Sequence, residues 1–463
     1  MSFDVSVFDT LDLEDDQRLR SPSRRDQYAT DFGTREADGV SPDLVLRPRS
    51  TAEVSAILAC ANEHQIPVTP FAAGTSMEGH PIPVEGGVTL DMTEMDGIID
   101  VHPDDLQVTV EAGTIGSAID EAVASYGLFF PPLPSSGDIS TIGGMIANDA
   151  SGMKTVKYGT VSDWVRTLRV VLADGTVIET GSRAAKSSSG YNLRDLIVGS
   201  EGTLGVITAA TLELAGRPEV VCAGRVAFPT TSDAATTVSD AMQSGVDMAT
   251  IELLDPLSMR MANAYVDTGL PEQPTIFFEL HGNQTVEEEL AFFRAICEDH
   301  DASEFEASME PGAFDRLFES RREIGHALVA FDPDLDMLTV GDVAVPIGSY
   351  PDMMDVARRL GAAHDLLIPC FGHAGDGNIH YTVLVDMDDP EHVERGWEAA
   401  ERIIELALDL GGTATGEHGI GRNKRHHLVD EHGERQVELM REIKHAFDPH
   451  TILNPGKVIP DRV

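Results

Sequence analysis

The 463-residue chain is 42% hydrophobic and carries a formal net charge of -45 at pH 7. Its length exceeds one ordinary hydrophobic core and predicts two or three domains, and its apolar content excludes a disordered acidic protein. So acidic a surface argues against nucleic acid and anionic membranes as partners. The basic residues include few lysines, which are Lys154, Lys157, Lys186, Lys424, Lys444 and Lys457. An acidic, strongly hydrated surface with little lysine predicts a halophilic protein of a high-salt cytoplasm.

The cysteines and the N-terminal stretch bear on the cellular compartment. The four cysteines lie far apart and form no CxxC pair, which predicts a reducing interior and no disulfide framework. The stretch MSFDVSVFDTLDLEDD is acidic, and the chain has no run of about 18 apolar residues. We therefore expect a cytoplasmic protein without a transmembrane span, which would associate with a membrane only through a partner.

In chain order, the first predicted elements alternate strands and helices between glycine-rich turns. Residues 41–60 predict a short strand and then a helix capped by Ser50 or Thr51. The stretch IPVTPFAAGTSMEG predicts a strand that enters a loop of small residues, and IGSAIDEAVASYG predicts a helix that ends at Gly127. TLRVVLADGTVIET predicts a β-hairpin with its turn at Asp174-Gly175.

From about residue 216 the pattern changes, because glycines become rarer. Predicted helices over 285–299 and 351–365 alternate with strands such as TIFFELHG. LIPCFGHAGDGNIHYTVLVD predicts strand, loop and strand, and EHVERGWEAAERIIELALDLGG predicts a long amphipathic helix that ends at its two glycines. The second part of the chain therefore predicts another α+β domain.

Two glycine-rich segments, 72–79 and 136–152, offer backbone N–H groups that suit a phosphate. The dinucleotide fingerprint GxGxxG is absent, since the G-x-G triplets GDG and GIG both lack the third glycine. This absence argues against a Rossmann NAD site. The glycines of any single loop could serve turns alone, but several such loops in one domain favour a large phosphate-bearing ligand.

The order of these segments identifies a family resemblance. TPFAAGTSMEG, PPLPSSGDISTIGGMIANDASG, VKYGTVSD, KSSSGYNLRDLIVGSEGTLGVIT and NPGK together resemble the FAD domain of the vanillyl-alcohol-oxidase superfamily, and most of all its D-lactate dehydrogenase and glycolate oxidase branch. The resemblance extends from about residue 40 to residue 458. It implies an α+β fold, with a PCMH-type FAD-binding domain of two α+β subdomains over 1–215. It also implies an α+β substrate, or cap, domain with an antiparallel sheet over 216–425, and a C-terminal helical segment over 426–463 that returns to the first domain.

The same resemblance implies which residues hold the flavin. The positions that match the family's FAD contacts are Gly74, Thr75, Ser76, Gly79, Thr141, Gly143, Gly144, Asn148, Ser151, Gly152, Tyr158, Glu201, Ile207 and Asn454. Relatives often have two glycines where this chain has Ala72 and Ala73, which is tolerable where the φ angles there are negative. His80 follows the 74–79 turn and does not precede it as covalent flavinylation requires, so we expect non-covalent FAD.

The stretch FGHAGDGNIH carries His373 and His380, and Glu417 lies further along in GEHGIG. Two imidazoles and a carboxylate suit zinc, or manganese and iron with looser geometry. By spacing alone the metal signal is weak, and two turn histidines bonded to the backbone are the favoured interpretation. The motifs resemble GHxGDGNxH and GEHGIG of FAD-linked 2-hydroxy-acid dehydrogenases, and that resemblance implies that all three residues bind one divalent metal, with zinc or manganese expected.

The resemblance also implies a catalytic pair. His418 matches the family's active-site histidine and suits a general base, although support of Glu417 is the alternative role. Arg321 matches the family's substrate arginine, whose guanidinium suits a carboxylate. Gly325 departs from relatives that have an aromatic residue there, so we expect a substrate pocket of different shape from theirs.

These features predict an FAD- and metal-dependent enzyme that oxidises a D-2-hydroxy acid, D-lactate foremost. The alternatives are a glycolate oxidase flavin subunit, a D-2-hydroxyglutarate dehydrogenase and, in another class, a zinc hydrolase built on the same three ligands. A flavin-binding protein without catalysis is a further possibility. The expected partners are the small hydroxy acid and an electron acceptor, which could be a cytochrome, a quinone, an electron-transfer flavoprotein or an iron–sulfur protein.

Overall fold

The computed structural model describes residues 3–266, 269–313 and 324–461. The strands in these ranges are β1 (Arg18–Leu19), β2 (Leu44–Leu46), β3 (Val68–Phe71), β4 (Val88–Asp91), β5 (Ile98–His102), β6 (Gln107–Glu111), β7 (Leu128–Phe129), β8 (Val165–Val171), β9 (Val177–Gly181), β10 (Val206–Glu213), β11 (Ala215–Gly216), β12 (Val220–Ala227), β13 (Met248–Leu254), β14 (Thr275–Gly282), β15 (Ser303–Ser308), β16 (Asp336–Ala344), β17 (Cys370–His373) and β18 (Asn378–Val385).

The α-helices in the same ranges are α1 (Pro22–Arg25), α2 (Thr51–His64), α3 (Gly116–Val123), α4 (Ile142–Asn148), α5 (Thr155–Tyr158), α6 (Val161–Trp164), α7 (Leu193–Ile197), α8 (Thr231–Gln243), α9 (Pro256–Val266), α10 (Val286–Asp299), α11 (Ile324–Ala330), α12 (Tyr350–His364), α13 (Pro390–Asp409), α14 (His427–His432) and α15 (Glu434–Phe447). No helix of the described residues is long and apolar enough to cross a membrane.

The chain divides into two compact units. Unit 1 consists of residues 1–151, 160–217 and 417–463, and unit 2 consists of residues 152–159 and 218–416. The sequence predicted a boundary between residues 215 and 216, and the units change between 217 and 218. Two short segments differ from the predicted division. The sequence placed 152–159 in the first domain and 417–425 in the second, whereas 152–159 belongs to unit 2 and 417–425 belongs to unit 1.

The described residues of unit 1 form three sheets. The first has the order β1-β2-β4-β3, and its strands β2, β4 and β3 run parallel because helix α2 connects β2 to β3. The second has the order β5-β6-β10-β8-β9 and is antiparallel, and β7 pairs with β11 in a third, two-stranded sheet. Each of the two larger sheets has its own apolar core, as expected for two α+β subdomains.

Local sequence signals account for several of these elements. Ser50 caps helix α2, since its side chain accepts a hydrogen bond from the Glu53 N–H at 3.2 Å. Strands β8 and β9 form the predicted hairpin around Asp174-Gly175. Gly127 takes a left-handed φ of 69° at the end of the helical stretch that began with α3. The expected cap, hairpin and helix end are therefore confirmed.

Buried lysines attach the C-terminal segment to the rest of unit 1. Lys444 Nζ donates to the Thr203 carbonyl at 2.7 Å, to the Leu453 carbonyl at 2.8 Å and to the Asp448 carboxylate at 2.5 Å. Lys457 Nζ donates to the Ile82 carbonyl at 2.6 Å. Burial lowers the pKa of Lys457 to about 7. A compact ammonium with three donors fits such carbonyl cages better than a planar guanidinium, which explains lysine here in a chain that otherwise uses little of it.

Unit 2 is built on one antiparallel sheet of seven strands with the order β15-β12-β14-β13-β17-β18-β16. Helices α8, α10, α12 and α13 bury apolar residues in the unit's main core. Helix α13 has the long amphipathic pattern expected from the sequence and ends at Asp409, just before the two glycines. Strands β13, β17, β18 and β16 are consecutive neighbours, which decides the geometry of the histidines described below.

Candidate functional site

The first predicted flavin loop follows strand β3 in unit 1. The Asp31 carboxylate accepts hydrogen bonds from the Ser76 hydroxyl and the Gly79 N–H, both at 2.8 Å. Gly74 and Gly79 take φ angles of 68° and 75°. The hydroxyls of Thr75 and Ser140 lie 3.0 Å apart. The loop is therefore held in one shape by protein contacts, as a phosphate-binding loop needs.

The two alanines that replace glycines in this loop are compatible with its backbone. Among the described residues, the positions with positive φ do not include Ala72 or Ala73. A Cβ at Gly144 would lie 3.5 Å from the Ala72 Cβ, so the start of helix α4 packs against this loop. Unit 1 therefore brings two of the predicted flavin segments, which are about 70 residues apart in the chain, next to each other.

The residues of the 141–151 segment have different contacts. The Thr141 hydroxyl caps α4 by accepting from the Gly144 N–H at 3.2 Å. Gly143 is required by close packing, because a Cβ there would lie 2.7 Å from the Ala112 Cβ. Asn148 Nδ2 donates to the Glu417 carbonyl at 2.6 Å, and the Ser151 hydroxyl donates to the Glu417 carboxylate at 2.7 Å.

The side chains of Glu201 and Asn454 form hydrogen bonds with backbone groups of unit 1. Glu201 is buried, has a φ of 53°, and accepts from the Ile420 and Gly421 N–H groups at 2.7 and 2.8 Å. Asn454 Nδ2 donates to the carbonyls of His80 and Glu201 at 3.0 and 2.7 Å. These contacts hold the 417–421 segment, and with it Glu417 and His418, to the interior of unit 1.

His80 and Glu201 form a buried ion pair, with His80 Nε2 3.3 Å from the Glu201 carboxylate. Burial by itself lowers the pKa of His80 and raises that of Glu201. The mutual attraction of the two groups and their hydrogen bond outweigh burial, so the pKa of His80 is raised and that of Glu201 is lowered. The attraction between the two groups therefore favours the charged form of each.

Three further predicted flavin contacts lie outside the 72–79 loop and the 141–151 segment. Ile207 lies on β10, opposite Val170, and is buried in the core of that sheet. Gly152 and Tyr158 belong to unit 2, where the Tyr158 hydroxyl lies 2.9 Å from His281 Nδ1. Burial raises the pKa of Tyr158 to about 12, with smaller contributions from Asp247 and Glu279.

Unit 1 fits a polar cofactor by two observations. The preformed 72–79 loop presents glycine backbone beside helix α4. In the described part of the unit, His80 Nδ1, Asn148 Oδ1 and Ser200 Oγ are buried and have no hydrogen-bond partner within the protein. Native proteins rarely leave such atoms unpaired, so they suit a bound polar ligand or ordered water.

The two histidines of FGHAGDGNIH lie side by side in the sheet of unit 2. His373 ends β17 and His380 lies on β18, with ring centroids 5.2 Å apart and ring planes at 90°. A nitrogen of one ring lies within 4.8 Å of a nitrogen of the other. Both side chains are buried. Two buried imidazoles at this separation can bind one metal ion.

Each histidine has a buried acid next to it that the sequence reasoning missed. Glu252 Oε1 lies 2.6 Å from His373 Nδ1, and Asp342 Oδ1 lies 3.6 Å from His380 Nδ1. Both carboxylates are 0% exposed. Two buried carboxyl groups beside two imidazoles fit a bound cation, since buried charge needs a partner. The sequence did contain a signal for them, because TIELL and VGDVAV each place a single acid inside an otherwise apolar strand.

The structure describes the predicted metal ligand Glu417 and the predicted base His418, but not the predicted substrate arginine. Glu417 and His418 are partly buried in unit 1. Arg321 lies outside the described residues. Gly325 lies in helix α11.

Two family models match the chain. The model of the FAD binding domain matches residues 42–181, and that of FAD linked oxidases, C-terminal domain, matches residues 217–458. The chain belongs to the FAD-linked oxidase family. It is an FAD-dependent oxidoreductase, and the family resemblance drawn from the sequence is confirmed.

Relatives of known name share most of the chain. The mitochondrial D-lactate dehydrogenase (cytochrome) of Arabidopsis thaliana is 39% identical over 423 residues, which are 91% of this chain and 74% of the relative. The glycolate oxidase subunit GlcD of Bacillus subtilis is 39% identical over 421 residues, which are 90% of this chain and 89% of the relative.

A solved structure is also similar to this chain. The structure of p-cresol methylhydroxylase with substrate bound has a TM-score of 0.79 at 18% identity, covering 96% of this chain and 95% of that one. At this identity the likeness shows the fold alone. The predicted α+β, PCMH-type fold class is confirmed.

Proposed function

We propose that this flavoprotein oxidises a D-2-hydroxy acid, D-lactate foremost, to the 2-oxo acid. The observation that carries the proposal is the pair of buried histidines with buried acids beside them, His373 with Glu252 and His380 with Asp342. Buried imidazoles with carboxyl groups beside them suit a divalent metal, which a metal-assisted alcohol oxidation uses. The names of the relatives, D-lactate dehydrogenase among them, support the same substrate class.

In this proposal His373, His380 and Glu417 hold a divalent metal, zinc or manganese. Bound at this site, such an ion would bind the oxygens of the hydroxy acid and lower the pKa of the hydroxyl. His418 takes the hydroxyl proton, since an imidazole titrates near neutral pH and suits a general base. Arg321 binds the substrate carboxylate through its guanidinium, which is needed in so acidic a protein.

The flavin is held without a covalent bond. The loop 72–79, helix α4 and the buried polar atoms of unit 1 form its binding surface. Bound FAD would accept the hydride from C2 of the substrate. Ser151 and Asn148 hold Glu417 through the contacts measured within unit 1, so they position the proposed metal ligand as well as lining the flavin side.

The electron acceptor is proposed from the relatives. A cytochrome is the first candidate, because the Arabidopsis relative is named for it. A quinone, an electron-transfer flavoprotein or an iron–sulfur partner are alternatives. Glycolate or D-2-hydroxyglutarate would fit the same chemistry, and the equal identity to the GlcD subunit supports glycolate. A zinc hydrolase would leave the FAD-binding domain without a role.

An anaerobic reduction experiment tests the proposal. The protein is purified in high salt, and its visible spectrum is recorded before and after separate additions of D-lactate, L-lactate, glycolate and D-2-hydroxyglutarate. Rapid bleaching of the flavin band by D-lactate and not by L-lactate is expected. Bleaching by glycolate or D-2-hydroxyglutarate alone would keep the mechanism and change the substrate. A metal-loaded flavoprotein that none of the four reduces would contradict the proposal.

A further inference from the structure

Four neighbouring strands of unit 2 carry an acid, a histidine, a second histidine and a second acid. Glu252 on β13 is directly opposite His373 on β17, and Asp342 on β16 is directly opposite His380 on β18. Strands β17 and β18 are themselves paired. Each histidine therefore has a carboxylate as its cross-strand partner, on the side away from the other histidine. Directly opposite side chains are close enough to interact.

The two acids differ in what they contact. Glu252 Oε1 is 2.6 Å from His373 Nδ1, which is a short, charge-assisted hydrogen bond. The 3.6 Å between Asp342 Oδ1 and His380 Nδ1 is too long for one. Asp342 instead accepts from Asn378 Nδ2 at 2.5 Å and from the Thr415 hydroxyl at 2.9 Å.

The Glu252 contact determines which ring nitrogen of His373 carries hydrogen. A carboxylate only accepts, so Nδ1 must be the donor in the 2.6 Å bond. The neutral ring then has its lone pair on Nε2, which is the form that binds a metal. The carboxylate is fully buried, so its charge acts through a medium that screens it little.

We propose that Glu252 is a positioning residue of the metal site. It fixes the tautomer and orientation of His373 so that Nε2 faces the ion, and its buried charge strengthens the binding of a divalent cation. Asp342 has a different main role, because it ties the start of β18 and the 413–415 segment to β16. The inference rests on the proposed metal site of His373 and His380.

The test compares matched variants of the full-length protein, stripped of metal with a chelator. Glu252→Gln keeps the size of the side chain and an acceptor oxygen but removes the charge. Glu279→Gln is its control, since Glu279 is in the adjacent strand β14 and also contacts a histidine, His281, at 3.1 Å. Zinc and manganese affinities are measured by calorimetric titration, together with the flavin content of each variant.

Glu252→Gln is expected to weaken metal binding about 10- to 100-fold at unchanged flavin content, whereas Glu279→Gln binds as the wild type does. Equal affinities of Glu252→Gln and the wild type would overturn the inference while leaving the proposed metal site intact. A wild type that binds neither ion, or a His380→Ala variant that binds as tightly as wild type, would overturn the metal site and this inference with it.

A second measurement needs no variant and covers the case in which Glu252→Gln does not fold. A crystal structure of the wild type loaded with zinc or manganese, with the ion located by its anomalous scattering, is expected to show His373 bound through Nε2. The Glu252 carboxylate is expected to remain within hydrogen-bonding distance of Nδ1. Coordination through Nδ1 would overturn the inference.

Discussion

The buried charges of the two units serve different purposes. In unit 1 they bond largely to backbone, since Lys444 donates to the carbonyls of Thr203 and Leu453 and Glu201 accepts from two N–H groups in addition to its pairing with His80. In unit 2 the buried charge of Glu252 is directed at the side chain of a histidine. A charge bonded to backbone stabilises the path of the chain, whereas a charge bonded to an imidazole sets its chemistry. Removing a charge bonded to backbone is expected to lower stability, and removing a charge bonded to an imidazole is expected to weaken metal binding and slow flavin reduction.

The largest effect is expected from the proposed metal ligands of unit 2. His380→Ala removes one of two adjacent imidazoles, so the variant should lose bound metal and reduce its flavin at least about 10³-fold more slowly with D-lactate, because a metal contributes several kcal/mol of charge stabilisation. Metal content by elemental analysis and anaerobic stopped-flow kinetics measure both. The exposed His450 provides the control, since His450→Ala should match the wild type. A metal-free variant with the wild-type rate would contradict the proposed role.

The next largest effect is expected on stability, from a buried lysine of unit 1 that is not one of the proposed metal ligands. Lys444→Met leaves two carbonyls and the fully buried Asp448 carboxylate without their cation. We expect a loss of about 3–5 kcal/mol in the free energy of unfolding, which denaturant titration in high salt measures.

The exposed Lys186 is the matched control. Lys186→Met should change the free energy of unfolding by less than about 0.5 kcal/mol. Equal effects of the two substitutions would mean that Lys444 does not hold the C-terminal segment, and the contrast between the units would lose its basis.

A smaller loss of stability is expected from a substitution in the 417–421 segment where it contacts the buried His80–Glu201 pair of unit 1. Gly419 has a φ of 79°, and a Cβ there would lie 2.6 Å from both Asn148 Oδ1 and His80 Nε2. Gly419→Ala should therefore cost about 1–3 kcal/mol more than left-handed backbone strain alone.

Gly127 isolates the backbone term, because its φ of 69° and ψ of 25° are left-handed and a Cβ there would meet nothing within 4 Å. Gly127→Ala should show only the left-handed strain of about 1–2 kcal/mol. Thermal or denaturant unfolding of both variants measures the difference. Equal losses would show that the His80–Glu201 pair can move aside, and that it does not hold the segment rigidly.

The smallest expected effect concerns a buried acid of unit 2 that caps a helix. Asp255 accepts from the Ser258 N–H at 2.7 Å at the start of α9, and burial raises its pKa to about 6. Its carboxyl therefore holds a proton in the folded state at pH values where the unfolded chain has lost it. Between about pH 4 and pH 6 this makes the free energy of unfolding fall as pH rises, by at most about 1.4 kcal/mol per pH unit.

Asp255→Asn removes this titration. The difference in unfolding free energy between the wild type and the variant, measured at several pH values, should change over pH 4–6 with that sign. A difference that is constant over this range would mean that Asp255 titrates alike in the folded and unfolded chain.

Local sequence determined more of unit 1 than of unit 2. The cap at Ser50, the Asp174-Gly175 hairpin and the small-residue loop after β3 follow from short stretches whose residues interact with near neighbours. The ordered glycine segments were enough to identify the FAD-linked family. The halophilic character inferred from the charge and the scarce lysines stays a prediction. Three of the six lysines, Lys424, Lys444 and Lys457, are buried in unit 1.

The tertiary structure decided which residues act on one another. Glu252 lies 121 residues before His373, and no local pattern encodes the register of β13 against β17 that places them opposite each other. Glu201 and Asn454 matched flavin positions by sequence, yet their side chains hold the 417–421 segment and the backbone of residues 80 and 201. Residue types and spacing fix which chemistry a chain can perform. The pairing of distant strands and the burial of their charges fix which atoms are positioned to perform it.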